Sequence, residues 1–409
     1  MHPSIPLRLA AARTLSDASL VWRDFYDELK DYTFVISAPG TGASRFPAKL
    51  DLPDGAFLRS VFAHEHLYFL NHAIIDSHLA GESVDFAIDY TISFDSNTAS
   101  YFRDLDKGHL SMMVPALHTC MKALGVRKLN WDYVPFLMER AESILANRDL
   151  DFIYETALAI ERFSACDLVH FEDTGEVLVT INEEEITRKA QHQLATWHTT
   201  LRRGVQDLIP HRLNFFYAPV LKMTILYLTA SKRSSLVSNM AQFLEFLDRD
   251  IQCISLFVVV AAFEFFLDGT RFKPFSKLTG GNDLKSKAKN VAWDLYHVQQ
   301  RREFATFSGR NGAFHLPFFL TFDKGLATLF DIFPQRSCLI GKERGMPQFF
   351  ADEDFQARLT QSNPELLPVL RKHFSLERHR QRANVTYNRT SSYETLIAGL
   401  ESELDKLVR

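Results

Sequence analysis

The chain is poor in cysteine, and its four cysteines, Cys120, Cys166, Cys253 and Cys338, lie far apart. Neither a C-x-x-C metal pair nor a disulfide framework is expected, and a reducing cytoplasm is the expected setting. No H-E-x-x-H is present, which removes a common helical zinc signature. Charge of one sign is also scarce. Forty-six basic residues against 50 acidic ones leave a net charge of −4, so any nucleic-acid surface must come from local patches. Internal repeats and low-complexity segments are missing. The most apolar stretch, CISLFVVVAAFEFFLDG (253–269), is short and carries Glu264, which marks a buried core element rather than a membrane span. The first residues, MHPSIPLRLAAARTL, lack a developed apolar h-region, so a signal peptide is not expected.

What is abundant is phenylalanine, 35 in 409 residues, which points to a Phe-filled core. At 46% hydrophobic and 23% charged residues, the composition is that of a globular protein. The length suits two or three domains, or one large domain with insertions.

Along the chain, TLSDASLVWRDFYDELKDY reads as a helix, followed by the strand TFVIS and the loop APGTGAS. A second strand-like piece enters the His-rich run FAHEHLYFLNHAIIDSH. Residues 84–94 read as a strand, and helical periodicity dominates from about 97 to 165. EVLVTINEEEITRKAQHQLATWHTTLRR predicts a short strand and then a polar helix. From 215 to 268 the pattern is helical. GTRFKPFSKLTGGNDLKSKAKN is a loop leading into a helix capped by Asn282 or Asp283. LPFFLTF is a buried strand, DKGLATLFDIF a helix, and the tail from 352 is helical, ending in YETLIAGLESELDKLV.

Two strand ends share one grammar. SVDFAIDYTISF is followed by Asp95, and LPFFLTF by Asp323, each just before a helix. In open α/β sheets, ligands collect outside the carboxyl ends of parallel strands. If these two strands are parallel neighbours, the carboxylates come together, and such a pair shares a proton or holds a divalent cation. Oxygen ligands suit Mg²⁺ or Mn²⁺. Each aspartate also reads as a plain helix N-cap. Glu264 is costly to bury unless paired or metal-bound. Asp294, in KNVAWDLYHV, lies early in a helix, where it fits either a site or a solvent face.

Taken in order, D-S-N at 95–97, the acid Glu264 in an apolar helix, Asp294 near the head of a later helix and T-x-D at 321–323 resemble the PIN-domain nucleases. The resemblance covers roughly 83–105 and 240–335. It implies a three-layer α/β/α fold with a central, mainly parallel sheet, here elaborated by many helices. It also implies Asp95, Glu264, Asp294 and Asp323 as catalytic acids. Asp95, Asp294 and Asp323 would hold Mg²⁺ or Mn²⁺, and Ser96, Asn97 and Thr321 would orient water or carboxylates. The implied activity is metal-dependent endoribonuclease hydrolysis of RNA, with DNA as an alternative substrate. By analogy the role is that of a toxin or antiviral defence effector, with a regulatory partner or a homo-oligomer. On this resemblance residues 83–105 and 240–350 form the catalytic core and 1–82 an α/β segment joining it. Residues 106–239 are a mostly helical insertion, and 351–409 a helical tail.

The chain departs from that pattern. Its first two acids are 169 residues apart and its last two 29 apart, both longer than in the family. WDYVPFLMERAES offers Glu139 and Glu142 as alternatives to Glu264. Lys285, Lys287, Lys289 and Lys324 are candidate phosphate contacts, with solvated helix faces as the plainer reading of KSKAKN and of RKHFSLERHRQR (371–382). Arg103 and His109 match the loose R-x(4–6)-H spacing that resembles HEPN ribonucleases, although Gly108 argues against a continuing helix. In the His-rich run, His72 and Asp76 share a helix face, with His64, His66 and His78 nearby, and ordinary polar positions are the expectation there. The competing class is a non-enzymatic α/β scaffold or binding protein whose acids are caps and ion-pair partners.

Overall fold

A computed structural model describes residues 4–39, 44–80, 87–109, 113–124, 130–230, 236–307, 313–341, 347–383 and 390–408. The APGTGAS loop and the first part of the 84–94 strand lie partly outside the described residues. The chain divides into two compact units. One comprises Met1–Arg203, Gln299–Phe330 and Pro334–Asp352, and the other Gly204–Val298, Asp331–Phe333 and Glu353–Arg409. This division differs from the sequence-based boundaries. The first two hundred residues hold together, and the C-terminal segment belongs with 204–298 rather than standing as a tail.

The first unit carries β1 (Tyr32–Ala38), β2 (Ser44–Arg45), β3 (Lys49–Asp51), β4 (Phe57–Ser60), β5 (His66–Leu70), β6 (Ile88–Phe94), β7 (Trp131–Asp132), β8 (Thr306–Phe307), β9 (Phe314–Thr321), β10 (Gln335–Gly341) and β11 (Gln348–Ala351). They form two sheets. One has the order β11-β10-β1-β5-β2 and is wholly antiparallel. The other has the order β3-β4-β9-β6-β7, with β8 also on β9. The expectation of a mainly parallel sheet meets a mixed one. Parallel pairing is confined to β6 with β9 and β6 with β7, and the remaining ladders are antiparallel. For β3 with β4 and β8 with β9 the reason lies in connection length: only a few residues separate the strands of each pair, enough to reverse the chain but too few for a crossover.

β9 is the most buried strand of the mixed sheet. β6 runs along one edge from Phe314 to Leu320. On the other edge β8 pairs at Phe314 and His315, and β4 at Phe318 to Thr321. Pro317, which has no N–H to donate, falls in the gap between those two partners. Phe69 of β5 meets Phe314 of β9 with ring centroids 5.3 Å apart, so the two sheets of this unit share a phenylalanine core. After β6, the helix Ser96–Asp106 buries Thr98, Ala99, Phe102 and Leu105, a stripe of one helical face. Phe102 packs on Phe94, Trp131 and Phe163 at 5.1 to 5.4 Å. The helix ends at Gly108, whose φ of +71° suits a residue without a Cβ.

The described elements of the second unit are helical. They include Gln206–Thr229, Leu236–Phe246, Leu256–Asp268, Leu366–His373 and the terminal Thr390–Val408. Helix Leu284–Phe304 runs unbroken through residues of both units. Leu400 and Leu404 are buried and Leu407 is exposed. Tyr217 donates a hydrogen bond to Glu401 at 2.8 Å, so the terminal helix packs within its own unit. Among the described residues no helix is long and apolar enough to cross a membrane.

Candidate active site

β6 and β9 are parallel neighbours, with Phe94 opposite Leu320, so their carboxyl ends bring Asp95 and Asp323 to the same edge of the sheet. Asp95 is buried, 6% exposed. One carboxylate oxygen accepts the Thr98 amide at 2.8 Å and the other the Thr321 hydroxyl at 2.8 Å. That hydroxyl in turn accepts the Asp323 amide at 3.0 Å. Thr321 therefore ties the two strand ends together through a single oxygen. Asp323 caps the helix Lys324–Asp331, its Oδ1 accepting the amides of Gly325 at 2.6 Å and Leu326 at 3.2 Å. Both aspartates thus act as helix N-caps.

Asp95 is more than a cap. Burial raises its pKa above the usual carboxylate range, and the nearby charge of Glu139 raises it further. The bonds from Thr98 and Thr321 only partly oppose this. Glu139 is held by the Ser96 hydroxyl, which donates to its carboxylate. Of the acids considered for the second position, Glu139 is therefore the one brought to Asp95. Glu142 is exposed on the next helix. Asn97 is also exposed, and its carbonyl accepts the Ser100 hydroxyl.

A third acid ends the third parallel strand. Asp132 closes β7, its Oδ2 accepting the Ser93 hydroxyl at 2.5 Å and Arg301 Nη1 at 3.2 Å. Arg301 is fully buried and also donates to Ser93 and to Gln300. Sequence reading missed this group because β7 is two residues long. The signal was the same strand-then-aspartate grammar, in NWD.

Glu264 and Asp294 belong to the second unit. Glu264 pairs with Arg358 at 2.7 Å, with both side chains about four-fifths buried. Its burial is compensated by a cation of the chain itself. Asp294 lies 3.7 Å from Lys277. Lys285 pairs with Asp405 at 3.1 Å, and Lys287 reaches the Gly280 carbonyl at 3.4 Å. Lys289 is exposed on the same helix, and Lys324 is exposed directly beside Asp323.

Arg103 lies over the Phe152 ring at 4.4 Å, and His109 is exposed beyond the helix end. In the His-rich run, His66 opens β5 and His72 packs on Tyr26, with ring centroids 3.8 Å apart. Tyr26 donates to Asp76 at 2.7 Å, and His64 meets Asp352 at 3.3 Å. The His78 side chain lies outside the described residues. Both ring nitrogens of His72 and Nδ1 of His66 are buried without a hydrogen-bond partner among the described residues.

The carboxyl edge of β7, β6 and β9 offers hard oxygen donors of the kind Mg²⁺ and Mn²⁺ take. Asp323 Oδ2 accepts no hydrogen bond from the described residues, and each Asp95 oxygen retains a lone pair. Among the described residues, however, no three His, Cys, Asp or Glu side chains converge as a ready-made metal site. Comparison with family models, curated proteins and solved structures returned no match for this chain.

Proposed function

We propose that this protein is a PIN-like endoribonuclease that hydrolyses RNA phosphodiester bonds with a divalent cation at the carboxyl edge of β7, β6 and β9. One observation carries the reading: the parallel neighbours β6 and β9 are each followed by an aspartate, Asp95 and Asp323, linked through Thr321, and Glu139 adds a carboxyl close enough to perturb Asp95. Carboxyls crowded in this way are stabilised by a shared proton or a cation. Asp95 and Asp323 would hold Mg²⁺ or Mn²⁺, with Glu139 beside Asp95 and water completing the coordination. A cation in such a site supplies an activated water and stabilises the leaving oxygen. Thr321 orients Asp95, Ser96 orients Glu139, and Lys324 offers a cation to the phosphate backbone. Glu264 takes no part in this reading, and Asp294 stands on the sequence resemblance alone.

A second reading is favoured by the N-cap bonds of Asp95 and Asp323. In it the protein is a non-enzymatic α/β scaffold or binding protein and those acids only terminate strands. One experiment separates the two. The full chain is incubated with mixed labelled RNA and DNA, with Mg²⁺ or Mn²⁺ or with EDTA, beside an Asp95→Asn Asp323→Asn variant. RNA cleavage that requires metal and disappears in the variant is expected. Absence of cleavage by the native chain, or cleavage retained in the variant, sinks the proposal. Cleavage that survives EDTA transfers attention to Arg103 and His109.

A further inference from the structure

We propose that the second unit binds a small phosphorylated anion in a cleft of about 180 Å³ lined by Asp248, Arg249, Gln252, Arg378, Gln381 and Arg382. The proposal is independent of the strand-edge acids.

The cleft is built around one buried carboxylate that is already saturated. Asp248 accepts His373 Nδ1 at 3.0 Å, Arg378 Nε at 2.7 Å and Arg382 Nη1 at 2.5 Å. Arg378 spends its remaining bonded nitrogen on Gln381 at 2.9 Å. Arg382 is different. Its Nη1 also reaches the His373 carbonyl at 2.9 Å, while its Nε and Nη2 donate to no group among the described residues. Arg249 touches only Asp250 there, at 3.5 Å, and its side chain is 72% exposed. Two guanidinium groups at the cleft thus keep donors to spend.

Three guanidinium groups, of Arg249, Arg378 and Arg382, line the cleft against one lining carboxylate, Asp248, with Asp250 beside Arg249 and Glu377 bonded to Gln381. Planar guanidinium forks match phosphate oxygens in pairs.

A second feature asks for a ligand that also donates. Gln252 Oε1 is buried with no hydrogen-bond partner, a costly state for an amide oxygen. Gln252 also holds a left-handed backbone, φ +58°, which is unfavourable for a residue with a Cβ. It follows directly on the π-helical turn Leu247–Ile251, an irregularity frequent at functional sites. A phosphate that keeps a proton, or a sugar hydroxyl beside it, supplies the missing donor. The cleft is open to solvent and has room for a phosphate and a few further atoms.

The test is calorimetric titration of the full chain with inorganic phosphate and with ribose 5-phosphate, with acetate and single-stranded RNA as comparison ligands. Saturable binding with a Kd on the order of 1 mM or tighter is expected for the phosphates and not for acetate. Arg249→Gln, at an exposed side chain that does not hold Asp248, should weaken it about tenfold. Arg382→Lys keeps the charge but loses the fork, and should weaken it by a similar factor. A cooperative unfolding transition above the assay temperature in each variant would establish that both are folded. Absence of saturable phosphate binding, equal affinity in the native chain and both variants, or binding confined to RNA would each overturn the proposal.

Discussion

Replacing Asp95 by asparagine should remove a loss of stability that the native chain suffers as pH rises. The native pKa is raised above its ordinary value of 3.8 by burial and by Glu139. The folded chain therefore binds the proton more tightly than the unfolded chain does. Below 3.8 the protonated acid makes its full contribution. As pH rises from there through the folded pKa, that stability is lost, because the unfolded chain releases its proton first. This is the reverse of an ordinary ion-paired aspartate. Asparagine accepts the Thr98 amide as well as aspartate does and carries no charge at any pH, so the variant should lose this pH dependence. Its Nδ2 cannot accept the Thr321 hydroxyl that Asp95 Oδ2 accepts, so at pH 7 it should lie within about 1 kcal/mol of the native chain. Alanine behaves otherwise. It removes the cap bond from the Thr98 amide, worth about 1 kcal/mol, and strands the buried Thr321 hydroxyl, at about 1–3 kcal/mol for an unmet buried donor. A total loss of about 2–4 kcal/mol follows. Urea unfolding of the three proteins between pH 4 and pH 8 reads both effects. If asparagine costs as much as alanine at pH 7, or if the native chain grows more stable across that range by an amount the variant lacks, the account of Asp95 is wrong.

Thr321→Val removes the hydroxyl linking Asp95 to the Asp323 amide and should cost about 1–3 kcal/mol in the same assay, with Thr321→Ser close to native. Phe102→Ala opens a cavity against Phe94, Trp131 and Phe163 and should cost about 3–5 kcal/mol. Glu264→Gln should leave RNA cleavage intact while lowering stability, since Arg358 loses its buried partner; loss of cleavage with stability unchanged would restore Glu264 as a catalytic acid. Burial alone would raise the pKa of Asp248, but the bonds from His373, Arg378 and Arg382 hold it below 3.8. Its contribution is therefore present above 3.8 and lost as pH falls through the lower folded value. Asp248→Asn should accordingly destabilise at pH 7, and less so in acid.

The strand ends were legible because their signals are local. An apolar run, a bare aspartate and a helix lie within fifteen residues at both Asp95 and Asp323, and the parallel pairing expected of them is present. The terminal helix and the helices of 97–165 were legible from period alone. β10 and β11 were not, because QRSCLIG and QFFA are short and lack a polar and apolar alternation. The strand expected in EVLVT reduces to one bridge, between Cys166 and Val179. Partners distant in sequence were the systematic gap. The cation beside Glu264 lies 94 residues away, at Arg358. The basic run 371–382 reads as a solvated face until Asp248, 130 residues before Arg378, is seen beneath it.

The position of β9 between β4 and β6 has a consequence in time. Asp95 and Thr321, which meet across that pairing, are 226 residues apart in the chain. At about 5–20 residues per second of synthesis, β6 waits roughly 11–45 s for the strand that joins it to β4, and β4 waits longer still. Through that interval both present unpaired backbone edges, and LPFFLTF itself enters last, as an apolar segment that must find its slot before it finds another copy. Yield of soluble protein during expression should therefore depend on temperature and on chaperones that cover open sheet edges, whatever the stability of the finished fold.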